Sequence, residues 1–160
     1  MNKKFYIEVI YLFLLGSVTS LSLPPFNYFI INFLTLSLFF IFIIKKTKIN
    51  NNKKIFLLYG WLFGFGYFIS NLYWISISLT FDESFKFLIP ITVILIPSFL
   101  AIFYSIATYL FIILKSKKIL SSIFLFPLIF GIIEFLRGSI LTGFPWNLIS
   151  YSFSNYVEIL

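Results

Sequence analysis

Residues 87–114 read FLIPITVILIPSFLAIFYSIATYLFIIL, and no charged residue occurs between Lys86 and Lys115. A transmembrane helix needs about 20 mainly apolar residues to cross about 30 Å of hydrocarbon, so this stretch is long enough to span a bilayer. Four other stretches of the chain have the same character. The sequence therefore predicts an all-α integral membrane protein with about five transmembrane helices, at residues 5–23, 28–44, 55–79, 87–114 and 119–136.

The composition of the whole chain agrees with this class. Of the 160 residues, 61% are hydrophobic and 11% are charged, and the mean hydropathy is +1.05. Soluble domains have about 25% charged residues, and disordered segments are poor in apolar ones, so both classes are excluded. The chain contains no Cys and no His, which excludes disulfides, thiol nucleophiles and metal sites built on these residues. We expect neither a metal nor a cofactor.

The net charge of +7 is distributed unevenly along the chain. Ten of the twelve Lys and Arg residues lie at the amino terminus, in the 45–54 loop and in the 115–118 loop, which the predicted spans place on one side of the membrane. Lys86 and Arg137 fall on the other side. Cytoplasmic loops carry the excess of Lys and Arg, so we expect a cytoplasmic amino terminus and a periplasmic carboxyl end. The basic charge is a topology signal, and we expect no nucleic-acid partner.

Small and polar residues interrupt the third span. Gly60 and Gly64 form a Gly-x-x-x-Gly pair, which is typical of close helix–helix contact in membranes. Asn71 is predicted to form an interhelical hydrogen bond. Tyr73 and Trp74 follow it and are expected to anchor the outer interface.

The first span contains one acidic residue, Glu8, one turn from its start. We expect Glu8 to pair with Lys4, four residues before it on the same helix face. Lys3-Lys4 followed by an apolar run also resembles a secretory signal peptide. The absence of an Ala-x-Ala-like cleavage site favours an uncleaved first helix.

Residues 134–146 read EFLRGSILTGFPW, at the outer end of the fifth span. Glu134 and Arg137 are three residues apart and share a helix face. Two interpretations are open: an ion pair that only caps the helix, or a pair that grips a lipid headgroup or braces an extracytoplasmic domain. Gly138 is expected to break the helix, which makes 137–160 a periplasmic or interfacial segment.

This stretch resembles the membrane-domain signature of the apolipoprotein N-acyltransferase family, which typically reads Glu-Trp-Leu-Arg-Gly, Thr-Gly-Phe-Pro-Trp and then Gly-Tyr-Ser. Phe135 and Ser150 depart mildly from that pattern, and Tyr151-Ser152 agrees with it. The Leu23-Pro24-Pro25-Phe26 turn and residues 60–75 resemble two further family motifs. The signature positions that carry over are Glu134, Arg137, Gly143, Phe144, Pro145, Trp146, Tyr73 and Trp74.

The resemblance implies a multi-pass enzyme of the bacterial inner membrane that passes an acyl chain from a phospholipid to the amino-terminal diacylglyceryl-cysteine of a lipoprotein. In that family, a Cys, a Glu and a Lys of a nitrilase-like domain catalyse the reaction. Because this chain has no Cys, we expect no catalytic residue in it. The expectation is a truncated or split membrane portion whose motif positions shape the mouth where lipid substrates enter.

The partners implied are membrane lipids, including the phospholipid acyl donor, and a separate nitrilase-like chain if the protein is split. The alternative is a small non-enzymatic membrane scaffold or a transporter subunit. Transporters normally carry polar groups in mid-membrane, whereas the span centres here are almost purely Phe, Leu and Ile.

Overall fold

The computed structural model describes residues 3–140 and 147–154. Within these ranges the chain is helical throughout and contains no strand. Short 3-10 helices occupy Ser20–Ser22, Glu83–Leu88 and Ile149–Phe153. The described residues form the α-helices α1 (Lys3–Thr19), α2 (Ile30–Thr47), α3 (Ile55–Asn71), α4 (Ile75–Ser78), α5 (Ile89–Leu114) and α6 (Ile119–Ile140).

Among the described residues, four helical stretches are long and apolar enough to cross a membrane: Lys3–Ser22, Ile30–Thr47, Glu83–Leu114 and Ile119–Ile140. The apolar helix α3 is shorter, with 17 residues. The prediction of an all-helical membrane protein is confirmed, and the structure has four to five apolar helices where about five transmembrane helices were predicted. The connections place residues 3–4, 45–54 and 115–118 together at one end of the bundle, which we call the lysine end. The 20–30 and 72–88 connections and the 147–154 segment lie at the other end, which we call the motif end.

The predicted third span was too long, because α3 ends at Asn71 rather than at residue 79. The Asn71 side-chain amide donates to the Tyr67 carbonyl of its own helix at 3.2 Å, not to another helix as predicted. The Asn71 carbonyl accepts a hydrogen bond from the Asn147 side chain at 3.3 Å. Side-chain hydrogen bonds of this kind compete with continuation of a helix. The chain then turns and forms only the single-turn helix α4.

The prediction that Gly138 breaks the last span was also wrong, because α6 continues through Gly138 to Ile140. One glycine within a helix costs only about 1 kcal/mol relative to alanine. The neighbouring Arg137 is fully buried and hydrogen-bonded, which holds this last turn in helical form.

Helix α3 lies at the centre of the bundle, and its contact with α1 depends on two glycines. A Cβ atom added at Gly16 would overlap the carbonyl of Phe63, and one added at Gly66 would overlap the carbonyl of Phe13. The two backbones therefore touch directly. The Ser17 hydroxyl, between them, donates to the Gly66 carbonyl at 3.2 Å.

The opposite face of α3 packs against α5 in the same way. A Cβ atom at Gly60 would lie 2.5 Å from the Tyr104 carbonyl oxygen, and one at Gly64 would lie 3.1 Å from the Ala101 Cα. The structure thus places the predicted Gly60–Gly64 pair in a helix–helix interface. Close backbone approach supplies van der Waals contact where lipid removes the hydrophobic drive for association.

Aromatic rings connect α2 and α6 to this centre. Phe39 of α2 stacks on Phe63 of α3 with ring centroids 4.3 Å apart. Phe126 and Phe130 of α6 approach Phe39 at 6.1 and 6.2 Å. Aromatic pairs in these geometries contribute about 0.5–1.5 kcal/mol beyond the area they bury, so the rings hold α2 and α6 in place.

The acidic residue of the first span does not pair with Lys4. Glu8 forms an ion pair with Lys46 at the end of α2 and accepts a hydrogen bond from the Tyr59 hydroxyl of α3 at 2.7 Å. The prediction of a local pair was wrong, because packing turns this face of α1 towards α2 and α3. The cluster joins three helices near the lysine end.

The glycine contacts lead to a matched test of packing. Gly16→Ala should lower the free energy of unfolding by about 1–3 kcal/mol, because its new methyl group meets backbone that cannot move independently of α3. Gly131→Ala is the control, since a Cβ atom there meets nothing within 4 Å. Thermal unfolding of the detergent-solubilised protein measures both. Equal stability of the two variants would contradict the backbone contact between α1 and α3.

Candidate functional site

The last turns of α6 place an ion pair inside the motif end. The Nη2 of Arg137 donates to both carboxylate oxygens of Glu134, at 2.9 and 3.1 Å, and its Nε donates to one of them at 3.2 Å. Arg137 is 0% exposed and the Glu134 side chain is 12% exposed. The spacing of three residues along one helix makes this geometry possible.

The Arg137 guanidinium also contacts two other elements. It lies over the ring of Phe68 in α3, 4.9 Å from the centroid, and its Nη2 approaches the Asn147 carbonyl at 3.4 Å. A buried charge is tolerated only when paired and hydrogen-bonded, and these contacts meet that need. Because the Glu134 carboxylate and the Arg137 guanidinium already have partners within the protein, the arrangement favours a role in holding neighbouring segments over direct contact with a lipid headgroup.

The element that the pair braces is the 147–154 segment. The Ile149 amide donates to Glu134 at 3.0 Å, and the Asn147 carbonyl accepts from the Tyr67 hydroxyl at 2.9 Å. Asn147 has φ 39°, in the left-handed region that asparagine tolerates better than most residues. The segment thus lies across the ends of α3 and α6.

A second group of buried polar side chains fixes the same segment from the other side. The Ser22 hydroxyl donates to the Asn32 Oδ1 at 2.9 Å, and the Asn32 amide donates to the Ser152 hydroxyl at 2.8 Å. All three residues are buried. Sequence analysis missed Ser22 and Asn32. The available signal was the side-chain amide of Asn32, which lies within the predicted second span. A polar side chain within a span usually forms a hydrogen bond to another part of the protein.

These contacts bring three of the sequence motifs together around a cavity of about 320 Å³ at the motif end. Its walls come from the 23–26 turn, from the end of α3 with Tyr73 and Trp74, and from the 147–154 segment. Tyr73 and Trp74 are 60% and 43% exposed. The lining residues are Ser20, Leu23, Pro24, Pro25, Phe26, Ser70, Asn71, Tyr73, Trp74, Asn147, Tyr151 and Ser154.

The signature residues occupy different places around this cavity. Glu134 and Arg137 do not line it but lie behind its Asn147 wall. Glu134 instead contributes to an apolar groove of about 420 Å³ beside α6, with Gly131 and Phe135. The predicted site residues Gly143, Phe144, Pro145 and Trp146 fall outside the described residues.

The polar and aromatic side chains of the cavity decide which ligands it suits. In residues 3–140 and 147–154, no group of three or more acidic, His or Cys side chains is placed to hold a metal ion. The cavity combines exposed aromatic rings with Asn and Ser side chains, which suits an amphipathic ligand.

Comparison with known proteins gives a consistent family match. The family profile described as "Apolipoprotein N-acyltransferase N-terminal domain" matches residues 15–160. The apolipoprotein N-acyltransferase of Brucella melitensis is 38% identical over 146 residues, which cover 88% of this chain and 27% of that protein. That of Rickettsia prowazekii is 38% identical over 148 residues, covering 92% of this chain and 28% of that protein. The chain spans about a quarter of the length of these relatives.

A double-mutant cycle tests whether the buried ion pair braces the site. Arg137→Met should lower the free energy of unfolding by about 3–5 kcal/mol, because it leaves the Glu134 carboxylate buried without its partner. The double variant Glu134→Gln with Arg137→Met should be more stable than Arg137→Met alone, because the unpaired charge is gone. Unfolding in SDS, followed by tryptophan fluorescence, measures the cycle.

The control is Lys86→Met, which breaks the exposed Lys86–Glu83 pair and should leave stability unchanged, as expected for surface ion pairs. Strictly additive losses from Glu134→Gln and Arg137→Met would show that the two side chains do not act as a pair.

Proposed function

Because this chain belongs to the apolipoprotein N-acyltransferase family, we propose that it forms the membrane-embedded part of a machinery that N-acylates lipoproteins. In this reaction, an acyl chain passes from a phospholipid to the amino group of the diacylglyceryl-cysteine at the lipoprotein's amino terminus. The match to the amino-terminal domain of the family supports this assignment. The chain's own contribution is to receive and orient the lipid substrates.

We propose that the cavity at the motif end is the mouth that admits these substrates. The observation that carries the proposal is the convergence of the 23–26 turn, Tyr73-Trp74 and the 147–154 segment, which are distant in sequence, around one concave surface. Its volume of about 320 Å³ lies within the range of small-molecule sites. Exposed aromatic rings at a helix end suit the boundary between acyl chains and headgroups.

In this proposal, Glu134 and Arg137 are positioning residues. They hold Asn147 and Ile149 by the hydrogen bonds described above, and the segment that follows supplies Tyr151 and Ser154 to the cavity wall. Acyl transfer is sensitive to placement, because reacting groups must meet within a narrow range of distance and angle.

The acyl-transfer chemistry requires groups from outside residues 1–160. A thioester intermediate needs a Cys nucleophile, and these residues contain none. The proposal therefore assigns binding to this chain and bond-making to a nitrilase-like domain on the motif-end side, in the same polypeptide or in a partner chain.

We also propose that the lysine end faces the cytoplasm and the motif end faces the periplasm, in the bacterial inner membrane. The ten Lys residues at one end, against Lys86 and Arg137 at the other, support this orientation. It brings the cavity to the side on which exported lipoproteins are modified.

A chimaera tests the proposed function. Residues 1–160 replace the matching region of a full-length relative, in cells depleted of their own N-acyltransferase, and mass spectrometry of a lipoprotein measures N-acylation. We expect activity in the chimaera and a loss of about 10- to 100-fold in its Tyr73→Ala variant, because the cavity wall no longer orients lipid.

Tyr28→Ala is the matched control, since Tyr28 is equally exposed at the same end but does not line the cavity. Equal activity of the two tyrosine variants would refute the proposal that the cavity at the motif end admits the lipid substrates. A chimaera that inserts into the membrane normally but does not N-acylate the lipoprotein would favour the alternative function, a non-enzymatic membrane scaffold.

Single cysteines test the proposed orientation, because the natural chain is free of Cys. Ser84→Cys should react with a membrane-impermeant maleimide in intact spheroplasts, and Lys48→Cys should react only after the membrane is opened. Both residues are exposed and lie at opposite ends of the bundle. The reverse labelling pattern would overturn the orientation.

A further inference from the structure

We propose that the lysine end carries a specific site for the phosphate headgroup of an anionic phospholipid, with Lys53 and Lys115 as its cationic groups. The site lies at the opposite end of the bundle from the cavity described above, and it requires no acyl transfer. It is therefore independent of the proposed function.

The site is a cavity of about 280 Å³ where three helix ends meet. Three parts of the chain line it. They are Thr47 at the end of α2 with Asn50, Asn51 and Lys53 of the following loop, Phe56 in the first turn of α3, and Ile112 and Ile113 at the end of α5 with the following Lys115. The loop that links α2 and α3 is ordered by its own side chains. The Asn50 Oδ1 accepts a hydrogen bond from the backbone N–H of Asn52 at 2.9 Å, and the Asn52 Oδ1 accepts one from the backbone N–H of Lys54 at 3.0 Å.

The charge at this end of the bundle is not neutralised within the described part of the chain. Among the described residues, Glu8 is the acidic side chain at the lysine end, and it already forms an ion pair with Lys46. The other described ion pairs, of Glu83 and Glu134, lie at the motif end. Lys53 and Lys115 therefore approach one cavity without a carboxylate between them, which favours an anion from outside the protein.

The cavity also supplies neutral donors suited to phosphate oxygens. The Asn50 amide uses its oxygen to accept from the loop backbone, so its NH2 group remains available to donate. Asn51 lies on the same lining surface. Two ammonium groups together with amide donors match the several acceptor oxygens of a phosphodiester.

The apolar part of the lining favours a lipid over free phosphate. Ile112 is buried, whereas Ile113 and Leu114 are 46% and 60% exposed along the outer face of α5. This face continues from the cavity into the span, where acyl chains lie. A free anion gains nothing from such a wall, whereas a lipid places its headgroup in the cavity and its chains along α5. Basic pockets between transmembrane helices bind anionic headgroups in this way.

Lipid titration tests the site with the full chain purified in a mild detergent. Native mass spectrometry measures the binding of phosphatidylglycerol to the natural sequence and to the double variant Lys53→Gln, Lys115→Gln. We expect binding to the variant to be about 25-fold weaker, since each Lys near an anionic surface contributes a factor of about 5 to the affinity. The double variant Lys53→Arg, Lys115→Arg keeps both charges and should retain the lipid.

The matched control is Lys117→Gln, Lys118→Gln, which removes the same charge from the same end but from residues that do not line the cavity. We expect its affinity to stay within about 3-fold of the natural sequence. Equal weakening of the site and control variants would overturn the proposal in favour of diffuse attraction. Equal binding of phosphatidylcholine, or displacement by soluble glycerol phosphate at matched concentration, would also overturn it.

Discussion

Charged and polar groups placed away from water must find partners inside the protein, and the motif end is organised around that constraint. Burial of the Arg137 guanidinium requires the Glu134 carboxylate, the Phe68 ring and the Asn147 carbonyl around it. Because Asn147 and Ile149 are both held by this pair, the 147–154 segment has a defined position across the helix ends. The cavity beside it exists because that segment forms one of its walls.

Helix α3 connects the motif end with the packed centre of the bundle. Its glycines let α1 and α5 approach to backbone contact, while its Tyr67, Phe68 and Asn71 reach the motif end. The same helix that supplies the tightest packing therefore also supplies partners for the polar segment.

The two ends of the bundle have different chemistry. At the motif end, Glu83 and Glu134 form ion pairs, and the cavity is lined by aromatic, Asn and Ser side chains. At the lysine end, the positive charge exceeds the described negative charge by far, and the loop between α2 and α3 forms a basic concavity with α5. The family match covers residues 15–160, and lipoprotein N-acylation at the motif end is our proposal. The basic concavity is the lipid-headgroup site that we propose, and it does not depend on the reaction proposed for the motif end.

The sequence by itself determined the membrane class, the apolar stretches, the charge asymmetry and the family, because these depend on composition and on short motifs. It also identified Glu134 with Arg137, whose spacing on one helix makes contact local. Only the tertiary structure decided that Glu8 pairs with Lys46, that α3 ends at Asn71, and that Arg137 lies behind the cavity wall. The physical reason is that these helices are apolar on nearly every face, so hydrophobic periodicity does not reveal which face meets which neighbour. Contacts such as Ser22–Asn32–Ser152 join residues far apart in sequence, and only packing brings them together.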